Sequence, residues 1–151
     1  MTVAPHVQHR YERHLPPVRA AAGTARDFVE SRLRAWGRAD QIEDATVIIG
    51  ELFNNALLHA ASRELVAAID WNGGRIRLEM WDDSPDRPKV VPIDFEKESG
   101  RGMHLIACLS GMWGSRLAAS GKCVWAILPS QGEGRLATPA DLPCEVKEIW
   151  T

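Results

Sequence analysis

The order of amphipathic segments along this chain predicts a two-layer α/β sandwich. Three observations lead there. Two consecutive segments place apolar residues three and four positions apart, the mark of helices with one buried stripe. Four later segments alternate apolar and polar residues, in two pairs joined at glycine-bearing turns, which marks hairpins with one buried face. A short apolar helix separates the hairpins. The predicted order is strand, helix, helix, hairpin, loop, helix, hairpin.

Each element has a local reason. Residues 6–15 alternate weakly through Val7, His9, Tyr11, Arg13 and Leu15, which suits an edge strand. Pro16-Pro17 stops that strand and opens a helix, where a missing N–H is tolerated. Val18, Ala22, Ala25, Val29, Leu33 and Trp36 form its stripe, and Gly37 ends it. Asp40 is placed to cap a second helix, with Glu43 as the other half of a capping box. That helix is expected to reach about Ala61, with Ile42, Ala45, Ile49, Leu52, Ala56 and Ala60 inward. Leu65, Ala67, Ile69 and Trp71 make one strand, Asn72-Gly73-Gly74 a turn, and Ile76, Leu78 and Met80 the next. Pro85, Pro88 and Pro92 among many charges make residues 83–99 an ordered loop or a lid. A helix from Gly102 to about Leu109 ends at Ser110-Gly111, and the last hairpin has arms near 113–119 and 122–129.

Composition narrows the function classes. The 151 residues suffice for one domain with a sizeable core, assigned to residues 1–130, with a weakly structured tail at 131–151. Lys and Arg number 18 against 20 Asp and Glu, so a net charge of −2 gives no electrostatic case for nucleic acid or an anionic membrane. No apolar run approaches the roughly 20 residues of a membrane span, and no signal-peptide stretch precedes the first strand, so a cytoplasmic protein is expected. Cys108, Cys123 and Cys144 lack CxxC spacing, and the first two read as core residues. The histidines form no metal-ligand pattern.

Three segments carry chemistry. On the second helix, Glu51 and Asn55 lie about 40° apart, beside the packed stripe rather than within it. A solvated Glu/Asn pair is the ordinary reading. Against it, Asn54-Asn55 is a poor choice in mid-helix, because asparagine competes with the backbone for hydrogen bonds. An Asn amide oxygen is a hard ligand suited to Mg²⁺, and a carboxylate one turn away is placed to orient or deprotonate a nucleophile.

Asp82 follows Ile76, Leu78 and Met80 in period-two alternation and therefore faces the core side. An inward carboxylate needs a donor. The exocyclic amine of adenine is such a donor, whereas guanine presents a carbonyl there; an Asx turn is the structural alternative. In Ser99-Gly100-Arg101-Gly102-Met103, two glycines before an apolar helix let backbone N–H groups approach an anion. Arg101, Lys97, Arg87 and Lys89 are candidate phosphate contacts, although solvated loop charges are the commoner case. The chain has no GxSxG, P-loop or full GxGxxG signature.

In this order, Glu51-x-x-x-Asn55-Ala-x-x-His59-Ala, Asp82-x-Ser84 and Ser99-Gly100-Arg101-Gly102-Met103 resemble the N, G1 and G2 boxes of the GHKL ATPase superfamily. The closing Gly121-Lys122-x-Val124-Trp125 is similar to the last hairpin of one branch, the stand-alone anti-sigma-factor serine/threonine kinases of bacterial partner-switching systems, especially the small actinobacterial ones. The resemblance covers about residues 8–129. It implies a Bergerat fold, a mixed, mainly antiparallel sheet with helices on one face. It also implies ATP and Mg²⁺ as ligands, with Asn55 on the metal, Glu51 as general base and Asp82 on adenine. It further implies that Gly100 and Gly102 line the phosphates, with Ser84, Arg101 and Met103 completing the nucleotide-binding set. Ser84-Pro85-Asp86 and Ser99 stand where many relatives have glycines.

The resemblance implies an ATP-dependent protein serine/threonine kinase that sequesters a sigma factor and phosphorylates a small antagonist protein. Homodimerisation is implied by the resemblance alone. The alternative is a binding module that holds ATP or ADP and switches partners without phosphoryl transfer. The first helix and nearby loops would supply the partner surface, with Arg32, Arg34 and Arg38 available there.

Overall fold

The computed structural model describes residues 9–59, 64–72, 74–83, 101–118 and 121–129. Its elements are β1 (Arg10–Leu15), α1 (Ala21–Ala35), a 3-10 turn (Ala39–Gln41), α2 (Ile42–His59), β2 (Leu65–Asn72), β3 (Arg75–Asp82), α3 (Arg101–Leu109), β4 (Met112–Ala118) and β5 (Gly121–Ile127). The strands form one five-stranded sheet in the order β1-β2-β3-β5-β4. The expected sandwich is present, with the helices on one side. Every neighbouring pair is antiparallel, so the described sheet lacks the parallel pairing of a mixed one.

The core lies between the sheet and the helices. Ala22, Ala25, Val29 and Leu33 of α1 are buried, as their spacing requires. On α2 the buried set is Ala45, Ile48, Ile49, Leu52, Phe53 and Ala56, a wider stripe than expected. The reason is that α2 meets α1, α3 and the strands β2 and β3 together, so it must be apolar over more of its circumference. Leu65, Ala67 and Ile69 of β2, Ile76, Leu78 and Met80 of β3, and Val124 and Ala126 of β5 supply the sheet side.

Two local expectations are corrected. Val18 is 50% exposed rather than part of the α1 stripe. Residues before Ala21 form tight turns, with Val18 N–H donating to the Pro16 carbonyl at 2.8 Å and Ala21 N–H to that of Val18 at 3.0 Å. The Asp40/Glu43 capping box gives way to the 3-10 turn, which contains Asp40 and leads directly into α2. Arg38 donates to the Gln41 side chain at 2.7 Å, and Gln41 in turn donates to the Pro129 carbonyl at 2.9 Å, which ties the start of α2 to the end of β5.

The sheet face away from the helices carries a buried charge network. Glu79, 4% exposed, accepts from both terminal nitrogens of Arg10 at 2.9 and 3.1 Å and from the Trp81 indole at 2.8 Å. Arg77 Nε lies 3.2 Å away. Burial alone would push the Glu79 carboxyl up, but the hydrogen bonds from Arg10 and Trp81 outweigh it and hold the group below its ordinary value. Cys123, buried on the same face, has its thiol pushed up to about 12 by burial and by the charge of Glu79. Cys108 is only half-buried, not the core residue expected.

Most of the expected loop (84–99), Ala60 and Ala61, Cys144 and the tail at 131–151 lie outside the described residues. No helix among the described residues is long and apolar enough to cross a membrane.

Candidate functional site

The site begins at the flank of α2. The helix turns its apolar stripe to α1, α3 and the sheet, which leaves Glu51 and Asn55 at the margin. Both are half-buried, whereas Asn54 is exposed. This is the rim position that the helical spacing predicts. Partial removal from water pushes the Glu51 carboxyl above its ordinary value, which moves it toward the range useful to a general base. The Asn55 amide oxygen is a donor of the kind Mg²⁺ accepts when phosphate oxygens and waters fill its other positions. The residues present fit such an ion.

Asp82 ends β3 and is 8% exposed, on the face of Leu78 and Met80. Its inward orientation is therefore as alternation predicts. Directly across the ladder stands Lys122 of β5, also buried, with Nζ 3.6 Å from Oδ2. The adjacent Gly121 lies so close to the Asp82 backbone that no side chain fits between them. One residue pair further along the same face, the Ser115 hydroxyl is buried without a hydrogen-bond partner among the described residues. A carboxylate, an ammonium and a hydroxyl thus line one end of the helix-facing side of the sheet.

The third part is the start of α3. Arg101, Gly102 and Met103 occupy its first turn, so Gly102 lies inside the helix rather than ahead of it. The N–H groups of that turn have no intrahelical acceptor, which makes this end suitable for an anion. Ser84 and Gly100, with Arg87, Lys89 and Lys97, lie outside the described residues.

One helix joins these parts: α2, which carries Glu51 and Asn55, packs against both β3 and α3. The rim placement of Glu51 and Asn55 and the inward placement of Asp82 are as the sequence periodicity predicts. Lys122 was seen only as part of a hairpin, and Ser115 was not singled out. Finding them as site residues requires knowing that β5 inserts between β3 and β4, a long-range pairing that local patterns do not encode.

A search of curated proteins finds no match. Residues 15–128 match the family described as histidine kinase-like ATPase domain, most of the chain and all of α1 through β5. The chain belongs to the histidine kinase-like ATPase domain family, of the GHKL type.

Proposed function

We propose that this chain is an ATP-dependent protein serine/threonine kinase that also acts as an anti-sigma factor in a bacterial partner-switching system of the actinobacterial type. Membership of an ATPase domain family supports ATP binding. The observation that carries the kinase reading is the half-buried Glu51, one turn from Asn55, on the helix that packs against both β3 and α3.

In this reading Asp82 accepts from the adenine amine, the first turn of α3 donates to phosphate oxygens, and Asn55 holds Mg²⁺. The ion supplies charge neutralisation to the phosphates. Glu51 takes the proton of a serine or threonine hydroxyl on the antagonist protein. The hydroxyl oxygen bonds to the terminal phosphorus, the bond from that phosphorus to the bridging oxygen breaks, and ADP leaves with the electron pair.

The partner surface is assigned to α1 and β1. Arg38 contributes less to it than the sequence suggested, since its side chain is 12% exposed and engaged with Gln41. Arg34 pairs with Glu30 at 3.1 Å yet stays well exposed, and Arg32 lies 4.4 Å over the exposed ring of Tyr11. These leave a basic and aromatic surface suited to an acidic partner.

The test is incubation of the pure protein with labelled Mg·ATP and candidate antagonist proteins. Transfer of label to a serine or threonine by the wild type and not by Glu51→Ala supports the kinase. Nucleotide binding with no transfer to any candidate favours the non-catalytic switch.

A further inference from the structure

Lys122 is the one buried lysine or arginine among the described residues, at 3% exposure. A lysine taken out of water is costly and needs a compensating charge. Its compensation is Asp82, opposite it in the β3–β5 register, so both side chains project from the same face. The Nζ–Oδ2 separation of 3.6 Å is longer than a hydrogen bond, which makes the contact an electrostatic one with room for adjustment. As a stability device such a pair is poor, since apolar residues of similar size usually serve a fold as well or better. Its location is more informative. It stands at the end of β3, with Gly121 fixing the strand separation by close approach to the Asp82 carbonyl. The Ser115 hydroxyl, without a hydrogen-bond partner among the described residues, is buried on the same face.

An ionised carboxylate only accepts, so either oxygen can meet the 6-amino group of adenine. Once protonated, one of its oxygens carries a donor O–H and only the other, correctly turned, can accept from the amine. A buried carboxylate tends toward the protonated form unless a cation opposes it. Lys122 supplies that cation directly across the ladder.

We propose that Lys122 is a positioning residue for base recognition: it holds Asp82 as an oriented, acceptor-only carboxylate against which the adenine amine is read. This rests on the ATP-site reading above. It adds a residue and a role, an ammonium across the ladder that favours the ionised carboxylate and fixes its orientation toward the base.

The experiment compares two nucleotides, ATP and purine riboside 5′-triphosphate, which lacks the 6-amino group. Dissociation constants are measured for wild type, Lys122→Met, Lys122→Arg and Asp82→Asn, with thermal melts to confirm folding. Wild type is expected to prefer ATP by about tenfold, the worth of one good hydrogen bond. In Lys122→Met that preference falls toward unity, as in Asp82→Asn, and Lys122→Arg restores most of it. A lysine that served only the fold would weaken both nucleotides equally and leave the ratio unchanged. If Lys122→Met keeps the wild-type ratio, the proposal is overturned while the nucleotide site stands. If the wild type binds neither nucleotide, or both equally, the reading of Asp82 fails and the proposal with it. Should Lys122→Met not fold, Lys122→Gln carries the same comparison and decides it.

Discussion

A Cβ placed on residue 121 would lie 1.9 Å from the carbonyl oxygen of Asp82 and 2.6 Å from the Cα of Asp83. Gly121 is thus required by close approach of two backbones, and its φ of 155° is itself unusual for a residue with a side chain. Gly121→Ala is expected to separate β5 from the end of β3 and to cost about 2–4 kcal/mol of stability. Urea unfolding measures that cost. Loss of ATP affinity in the folded fraction is expected alongside it, and a wild-type midpoint would contradict the packing argument.

Asn55→Ala removes the amide oxygen assigned to the metal and leaves the rest of α2 intact. ATP affinity measured with Mg²⁺ is expected to fall at least about tenfold, the effect of losing about 1.4 kcal/mol. Affinity measured in EDTA should change little. Equal losses under the two conditions would assign Asn55 to the nucleotide rather than to the ion.

Glu51 is held above its ordinary value by burial, so its ionised form is disfavoured in the folded state. The sign follows directly. A group raised on folding costs stability once the pH exceeds its unfolded value, and Glu51→Gln removes that cost. The variant is expected to melt at or above the wild-type temperature at pH 7, by no more than about 2 °C, while phosphoryl transfer is lost. A lower melting temperature with transfer intact would remove Glu51 from the catalytic role.

Glu79 has the opposite sign. Its folded value is lowered, so its contribution to stability is complete above the ordinary glutamate value of 4.5 and is lost as the pH falls below that through the folded value. Arg10→Ala should cost about 1–2 kcal/mol at pH 7, less than for a fully buried pair, because the Arg10 side chain is partly exposed and Arg77 remains close. It should also flatten the acid limb of the stability profile. Urea midpoints at pH 3–7 for both proteins check both effects.

Local patterns carried most of the fold and the centre of the site. The α1 stripe, both hairpins and the inward turn of Asp82 follow from periodicity, because one buried face imposes a period of 3.6 or 2 on the residues that line it. The rim position of Glu51 and Asn55 follows from the same arithmetic. Other features were not legible, for a different reason. Ile48 and Phe53 are buried because α2 has neighbours on three sides, and Arg10 of β1 meets Glu79 and its near neighbour Arg77 on β3 only through the pairing of β1 with β2 and of β2 with β3. The start of α2 shows a third kind of difference, where the short 3-10 turn held by Arg38 and Gln41 replaces a capping box that the local sequence permits.

The strand order has a consequence for assembly. β5 is the last of the described strands in sequence, yet it sits inside the sheet, between β3 and β4. A chain emerging from the ribosome presents Asp82 on an unfinished edge until residues 121–127 arrive to close the sheet. The carboxylate proposed to read the base and its counter-ion therefore meet only once β5 has paired with β3, so on that proposal nucleotide capture reports that this pairing has formed.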